Sequence, residues 1–180
     1  MIKKALLALA GLLAVVLIIP IFKSPQFRVE RSRSIPAAAD ALFPYFNNHK
    51  KFNEINPWLK MDPDAKVSYA GPESGVGAVS SWEGGKTGKG SATITESKPN
   101  ESVKLRMDWK EPMEGVSTVE YTLVPDGDKT KVTWAMYGDN NYVGKLMSLI
   151  MDCEKMCGPP FEQGLADIEK AVTTPAAAKP

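Results

Sequence analysis

Glu96 and Glu120 each stand inside a run that alternates apolar and polar residues. A carboxylate turned inward there, beside aromatic side chains, would have a raised pKa and could serve as a general acid or base. Nothing in the spacing brings the two together. Asp62 and Asp64 read as solvated residues of a turn, and His49, in a polar stretch, as a surface side chain. One histidine leaves no His-rich metal site to build, so no metal is assigned. Cys153 and Cys157 lie four apart on an expected helix, which puts their Cβ atoms about 5–6 Å apart, wider than a disulfide tolerates. They read as small apolar core residues. Gly85-Lys86-Thr87 has the ending of a phosphate-binding loop, but Ser80 stands where its first glycine should be and a strand pattern follows it. Hairpin turns are the better reading, and no cofactor is assigned.

The aromatic and thioether residues form the larger set. Trp82, Met107, Trp109, Tyr121, Trp134 and Met136 could line one side of a sheet, facing Met147 and Met151 on a final helix, with Trp58 in a short segment beside them. Ligand pockets are mostly apolar with a few placed polar groups, and methionine adapts to irregular or variable ligands. A plain packed core would use the same residues, and the sequence leaves both readings open.

The elements that must position these residues follow from periodicity. Phe27 to Ile35 alternates apolar or small with charged residues, the pattern of a half-exposed strand. Pro36 opens a short helical stretch to Phe46, with proline at a favoured first-turn position, and a second polar stretch runs from Asn47 to Asn56. Strands are expected around Val67–Tyr69, Val79–Glu83, Ser91–Ser97, Val103–Trp109, Val116–Val124 and Lys131–Tyr137, punctuated by glycine-rich or proline-bearing turns. Tyr142, Leu146, Leu149, Ile150 and Cys153 then follow helical spacing, continued by Phe161, Leu165 and Ile168 beyond a break at Gly158-Pro159-Pro160. That break could gate a cavity or merely bend the helix around the sheet. The order predicts an α+β fold in which a curved antiparallel sheet of about seven strands grips a long C-terminal helix.

At the N-terminus, Met-Ile-Lys-Lys precedes an uncharged run of 18 residues from Ala5 to Phe22. As a helix this run is about 27 Å long, near the roughly 30 Å of a hydrocarbon core. No small-x-small cleavage site follows it, so the reading is an uncleaved anchor, one transmembrane helix in the inner (plasma) membrane, rather than a cleaved signal peptide. Lys23, Arg28, Arg31 and Arg33 after the run tilt the positive-inside count toward a cytoplasmic domain. The short basic tail before it has the look of an export signal, and the expectation is a domain on the periplasmic or exterior side. Thr173 to Pro180 carries two prolines and no hydrophobic period, and reads as a frayed tail. The chain thus divides into an anchor and linker over 1–26, a folded unit over 27–172 and a tail over 173–180. Lys and Arg total 22 against 21 Asp and Glu, which excludes a nucleic-acid footprint, and 43% hydrophobic residues exclude wholesale disorder.

Several segments carry a likeness to a known family. They are the opening strand into Ile35-Pro36-Ala37, the Asn56-Pro57-Trp58 segment with Asp62-Pro63, and the Gly75-Val76-Gly77-Ala78 turn with Trp82 and Gly84. Val132-Thr133-Trp134-Ala135-Met136 and Gly158-Pro159-Pro160-Phe161-Glu162-Gln163-Gly164-Leu165 complete the set. Together they resemble the SRPBCC or START-like superfamily, and within it the bacterial polyketide cyclase/dehydrase and lipid-transport group. The resemblance implies a helix-grip fold and a cavity for a small apolar ligand such as a lipid, isoprenoid or polyketide-like molecule. It supplies no catalytic residue set. Three classes of function follow: a ligand-binding or shuttling domain at a membrane, a cyclase, dehydrase or hydrolase using an inward carboxylate, and a filled-core protein that binds a partner.

Overall fold

The computed structural model describes residues 2–150 and 152–174. Met151, placed above on the ligand-facing helix, lies outside the described residues, as do 175–180 of the expected tail. Helix α1 spans Ile2–Ile18 and passes into a 3₁₀ turn, Ile19–Phe22. Strand β1 (Gln26–Ile35) follows, then three short helices, α2 (Ala39–Asn47), α3 (His49–Asn53) and α4 (Pro57–Met61). Six strands come next: β2 (Lys66–Ala70), β3 (Val79–Gly84), β4 (Gly88–Lys98), β5 (Ser102–Glu111), β6 (Gly115–Asp126) and β7 (Lys129–Asp139). Helices α5 (Tyr142–Met147) and α6 (Cys153–Thr173) close the chain.

The seven strands form one antiparallel sheet in the order β1-β7-β6-β5-β4-β3-β2, a meander that β1 joins at the β7 edge. Alternation then decides everything about its faces, because successive side chains point to opposite sides. Val29, Met136, Val119, Leu105 and Ile94 lie in register across the sheet and are buried on its inner face. Arg28, Tyr137, Thr118, Arg106 and Thr93 make the corresponding outer row. Helix α6 lies over β1, held at its edge by ion pairs from Arg31 to Glu154 and Glu162, and from Arg33 to Glu169. Lys60 of α4 pairs with Asp167 on the same helix at 2.6 Å. These pairs are partly solvated and orient more than they stabilise. Burial of Phe161, Leu165 and Ile168 against Ile35, Leu42 and Val132 holds the helix down.

Two expectations need correction. The long final helix does not break at Gly158-Pro159-Pro160. It breaks earlier, after Met147, and Asp152 caps a new start by accepting from the backbone N–H groups of Glu154 and Lys155. Pro159 and Pro160 sit inside α6, which runs through them unbroken. The carbonyls they leave without donors belong to Lys155 and Met156, both exposed, where water can serve them.

The second correction concerns the transmembrane helix expected from Ala5 to Phe22. No helix among the described residues is long and apolar enough to cross a membrane. The α-helical run stops at Ile18, because Pro20 has no N–H to return to the preceding turn and the backbone tightens into the 3₁₀ turn. Its 17 residues rise about 25 Å, short of a hydrocarbon core of about 30 Å.

Candidate functional site

The inner face of the sheet divides into two zones along the strand direction. In the first, aromatic rings pack into a closed cluster. Trp134 stacks on Phe161 of α6 with centroids 4.4 Å apart, and Phe46 of α2 stacks on Tyr121 at 4.5 Å. Trp58 meets Trp134 and Phe161 edge-on, and Phe52 meets Trp134 likewise. Gly164 permits this closeness, since a Cβ there would collide with the Trp134 ring. Trp134 is 1% exposed and Tyr121 3%. Burial raises the Tyr121 phenol well above its usual pKa, so it stays neutral. The space between sheet and α6 is therefore occupied here by the protein's own side chains. Trp134 Nε1 is buried with no hydrogen-bond partner, the sole such side-chain atom found among the described residues.

The second zone lies at the end where β1 begins and β7 finishes. Phe27, Met107, Trp109 and Trp82 project from the inner face there and are only half-buried. Trp82 lies across Gly90, whose missing side chain leaves room for the indole. Trp109 meets Trp82 edge-to-face at 5.5 Å and 74°. Both indoles are pinned: Trp109 Nε1 donates to Ser117 Oγ at 2.9 Å, and Trp82 Nε1 to the Thr87 carbonyl at 3.3 Å. The cross-strand row that carries Phe27 and Met107 is otherwise small, with Gly138, Ser117, Ala92 and Ser80. Cys157 of α6 packs at the edge of the core, and burial lifts its thiol to a pKa of about 11. Cys153 and Cys157 are both free.

The turn beneath Trp82 is fixed by Asp62. Its carboxylate is buried rather than solvated and accepts from Lys86 N at 2.8 Å, Thr87 N at 3.0 Å and Thr87 Oγ1 at 3.1 Å. Those backbone donors hold it below the ordinary carboxylate pKa. The Gly85-Lys86-Thr87 stretch is thus the β3–β4 hairpin turn expected from the sequence, closed by the Asp62 carboxylate.

Of the proposed ligand residues, Trp82, Met107, Trp109, Tyr121, Trp134 and Met136 share the inner face. Trp58 joins the closed cluster from α4. Met136 is buried in the row beneath both zones. Met147 sits on α5, which packs against the 3₁₀ turn. Glu96 and Glu120 lie on the outer face. Lys104 bridges them at 3.2 Å and 3.9 Å, and Tyr137 donates to Glu120 at 3.2 Å. A bulge between Ile94 and Glu96 and the parity of β6 turn both away from the inner-face aromatics. Among the described residues no group of acidic, histidine and cysteine side chains could hold a metal.

Sequence reasoning missed Phe27. Its signal was present in its parity with Val29 on β1, which puts both on one face. Two surface depressions flank the sheet. One, of about 300 Å³, is lined mainly by outer-face residues including Ser68, Ser81, Ser91 and Lys110. The other, of about 260 Å³, lies between His49 and the Gly71–Glu73 loop.

This arrangement is what comparison with known proteins matches. The model of the family "polyketide cyclase / dehydrase and lipid transport" covers residues 26–173. The chain belongs to that family. Among solved structures it is similar to protein MLL2253 from Mesorhizobium loti, at 16% identity and a TM-score of 0.60 over 82% of this chain and 100% of that one. It is similar also to protein CV1439 from Chromobacterium violaceum, at 13% identity and a TM-score of 0.60 over 82% and 97%. Ginseng major latex-like protein 151 from Panax ginseng matches at 13% identity and a TM-score of 0.59 over 84% and 100%. At these identities the likeness carries the fold alone, a helix-grip of seven antiparallel strands and a C-terminal helix. No curated protein matches the sequence. In this member of the polyketide cyclase/dehydrase and lipid-transport family, the half-open aromatic zone is a part of the inner face that its own helices leave accessible.

Proposed function

We propose that residues 27–172 bind a small hydrophobic ligand, a lipid, isoprenoid or polyketide-like molecule, in the grip between the sheet and α6. The ligand enters at the zone of Phe27, Met107, Trp109 and Trp82. One observation carries this reading: large apolar side chains stay half-exposed on the one sheet face that the fold otherwise buries, and their polar atoms are already tied to the protein. Such a wall gains by covering itself with an apolar molecule, at about 25 cal/mol per Å² removed from water. Membership of a family that includes lipid transport supports it. The uncharged stretch from Ala5 to Phe22 supports a second element of the proposal, that this unit works at a membrane with the stretch buried in the apolar layer. The cyclase or hydrolase alternative gains no support from Glu96 and Glu120, whose carboxylates pair with Lys104 outside.

Native mass spectrometry of protein purified from its host, followed by lipid extraction, tests the binding reading. A reproducible apolar molecule is expected, released by Trp109→Ala and retained by the Glu96→Gln and Glu120→Gln variants. Protein that arrives empty and ignores a lipid panel overturns it and favours the filled-core partner alternative. Turnover of the retained molecule, abolished by either carboxylate change, would favour the enzyme.

A further inference from the structure

Four large apolar side chains stand exposed on and just after α5, away from the candidate ligand zone's own residues: Tyr142, Val143, Leu149 and Ile150. Ile150 is 85% exposed. A second apolar group comes from the end of α1 and the 3₁₀ turn, where Leu17, Ile18, Ile19, Ile21 and Phe22 are exposed, Phe22 to 84%. Scattered apolar residues on a surface mean little, but large contiguous groups mark interaction sites.

The two groups are joined. Tyr142 Oη donates to the Leu17 carbonyl at 2.7 Å, one of the carbonyls a helix end leaves unpaired. Lys23 Nζ donates to the Ser148 carbonyl at 3.0 Å and to its Oγ at 2.9 Å. Helix α5 also packs directly against the 3₁₀ turn. Wherever the end of α1 goes, α5 goes with it.

The charges at the junction are mainly positive, with the exposed Asp139 at the end of β7 the acid beside them. Residues 1–25 contain Lys3, Lys4 and Lys23 and no acid. Nearby, Glu154 is paired with Arg31, and Asp152 is spent on capping α6 and on Lys155. Lys145 is left to meet anions at the rim, and Lys23 keeps one ammonium N–H beyond its two bonds to Ser148. The occupant follows from the sequence of α1, which has no polar side from Ala5 onward. A protein partner would cover one side of such a helix and leave the other in water, whereas a bilayer surrounds it.

We propose that α5 and Leu149–Ile150 form, with the end of α1 and the 3₁₀ turn, a single docking face that rests on an anionic lipid bilayer. This rests on the membrane reading given above and adds to it a part of the folded unit itself. The face lies at the end of the sheet where β1 begins, the end that also carries Phe27, Trp82 and Trp109. Docking there turns the half-open aromatic zone toward the lipid, so a ligand can pass between bilayer and grip without crossing water.

The test uses the full chain, diluted from detergent onto vesicles of phosphatidylcholine with or without phosphatidylglycerol. Flotation reads binding, and hydrogen exchange reads the α5 amides. Slower exchange over 142–150 on vesicles is expected, with weaker flotation when phosphatidylglycerol is omitted. The double variant Val143→Asp/Ile150→Asp is expected to partition about a hundredfold less or worse, as losing two buried apolar side chains requires. Both positions are exposed, and an unchanged thermal transition in micelles checks that the variant is folded. If the chain floats while α5 exchange and the double variant are unaffected, α1 binds alone and the docking face is overturned. If the chain does not float at all, the membrane reading itself fails. Protection of 142–150 without vesicles, with the sedimenting mass of a dimer, assigns the face to a second copy and also overturns the proposal.

Discussion

His49 shows what a single residue's surroundings decide. A lone histidine in a polar stretch reads as a surface group, yet its ring is buried and bonded through Nε2 to the Ala78 carbonyl at 3.2 Å. Its neighbours in sequence, Lys50 and Lys51, carry the polarity, and the inward turn of α3 is set by Asn48, whose side chain caps both their N–H groups. Burial pushes the imidazole pKa below its ordinary 6.5, with the bond to Ala78 opposing this only in part. The folded protein therefore binds fewer protons than the unfolded chain just below that value, and stability must rise with pH there. Contributed stability is complete above pH 6.5 and is lost as pH falls from there through the depressed folded pKa. Urea midpoints measured between pH 7.5 and 5 are expected to fall for the natural protein and to stay nearly flat for His49→Gln. A flat natural profile would place the ring in water. The same logic made Glu96 and Glu120 illegible as acids or bases: alternation gives two faces, and only the register past a bulge says which is which.

At the scale of elements, the strands were legible because alternation is a local property, and the seven-stranded order follows from short turns between neighbours. The final helix was not. Proline inside a helix usually breaks it, but here both prolines fall where the freed carbonyls face water, so the cost is tolerated. What α6 needs from sequence is instead its glycines. At Gly158 a Cβ would strike the Arg31 guanidinium that ties the helix to β1, and at Gly164 it would strike the Trp134 ring. Two effects then oppose each other in Gly164→Ala. Alanine favours the helix by about 1 kcal/mol, while overpacking a closed core costs about 1–3 kcal/mol. The rigid ring, stacked on Phe161, has nowhere to move, so net destabilisation is expected by chemical denaturation. Gain of stability in this variant would mean that Trp134 can yield, and that the aromatic cluster is looser than its stacking implies.

The whole molecule divides its aromatic residues between two tasks that composition cannot separate. The helix-grip fold was readable from element order and from the family likeness, and Trp82, Trp109 and Trp134 were readable as inner-face candidates with Trp58 beside them. Which of them fill space and which leave it open depends on the volumes brought by α2, α4 and α6 from far along the chain. Trp134 is sealed under Phe161, whereas Trp109 closes on Trp82 with one side free. The two tryptophans should then fail differently. Trp134→Ala leaves a large cavity in the closed zone and is expected to cost about 3–5 kcal/mol, a large share of a typical domain's stability. Trp109→Ala removes a half-buried ring, so its cost should be clearly smaller, while uptake of an apolar fluorescent probe is lost. Paired denaturation and probe titrations on both variants separate the two. Equal destabilisation with unchanged uptake would make the second zone an ordinary edge of the core. A stability loss confined to Trp134 and an uptake loss confined to Trp109 would make the half-open end the working part of the fold, with the sealed cluster as the support that holds its strands in place.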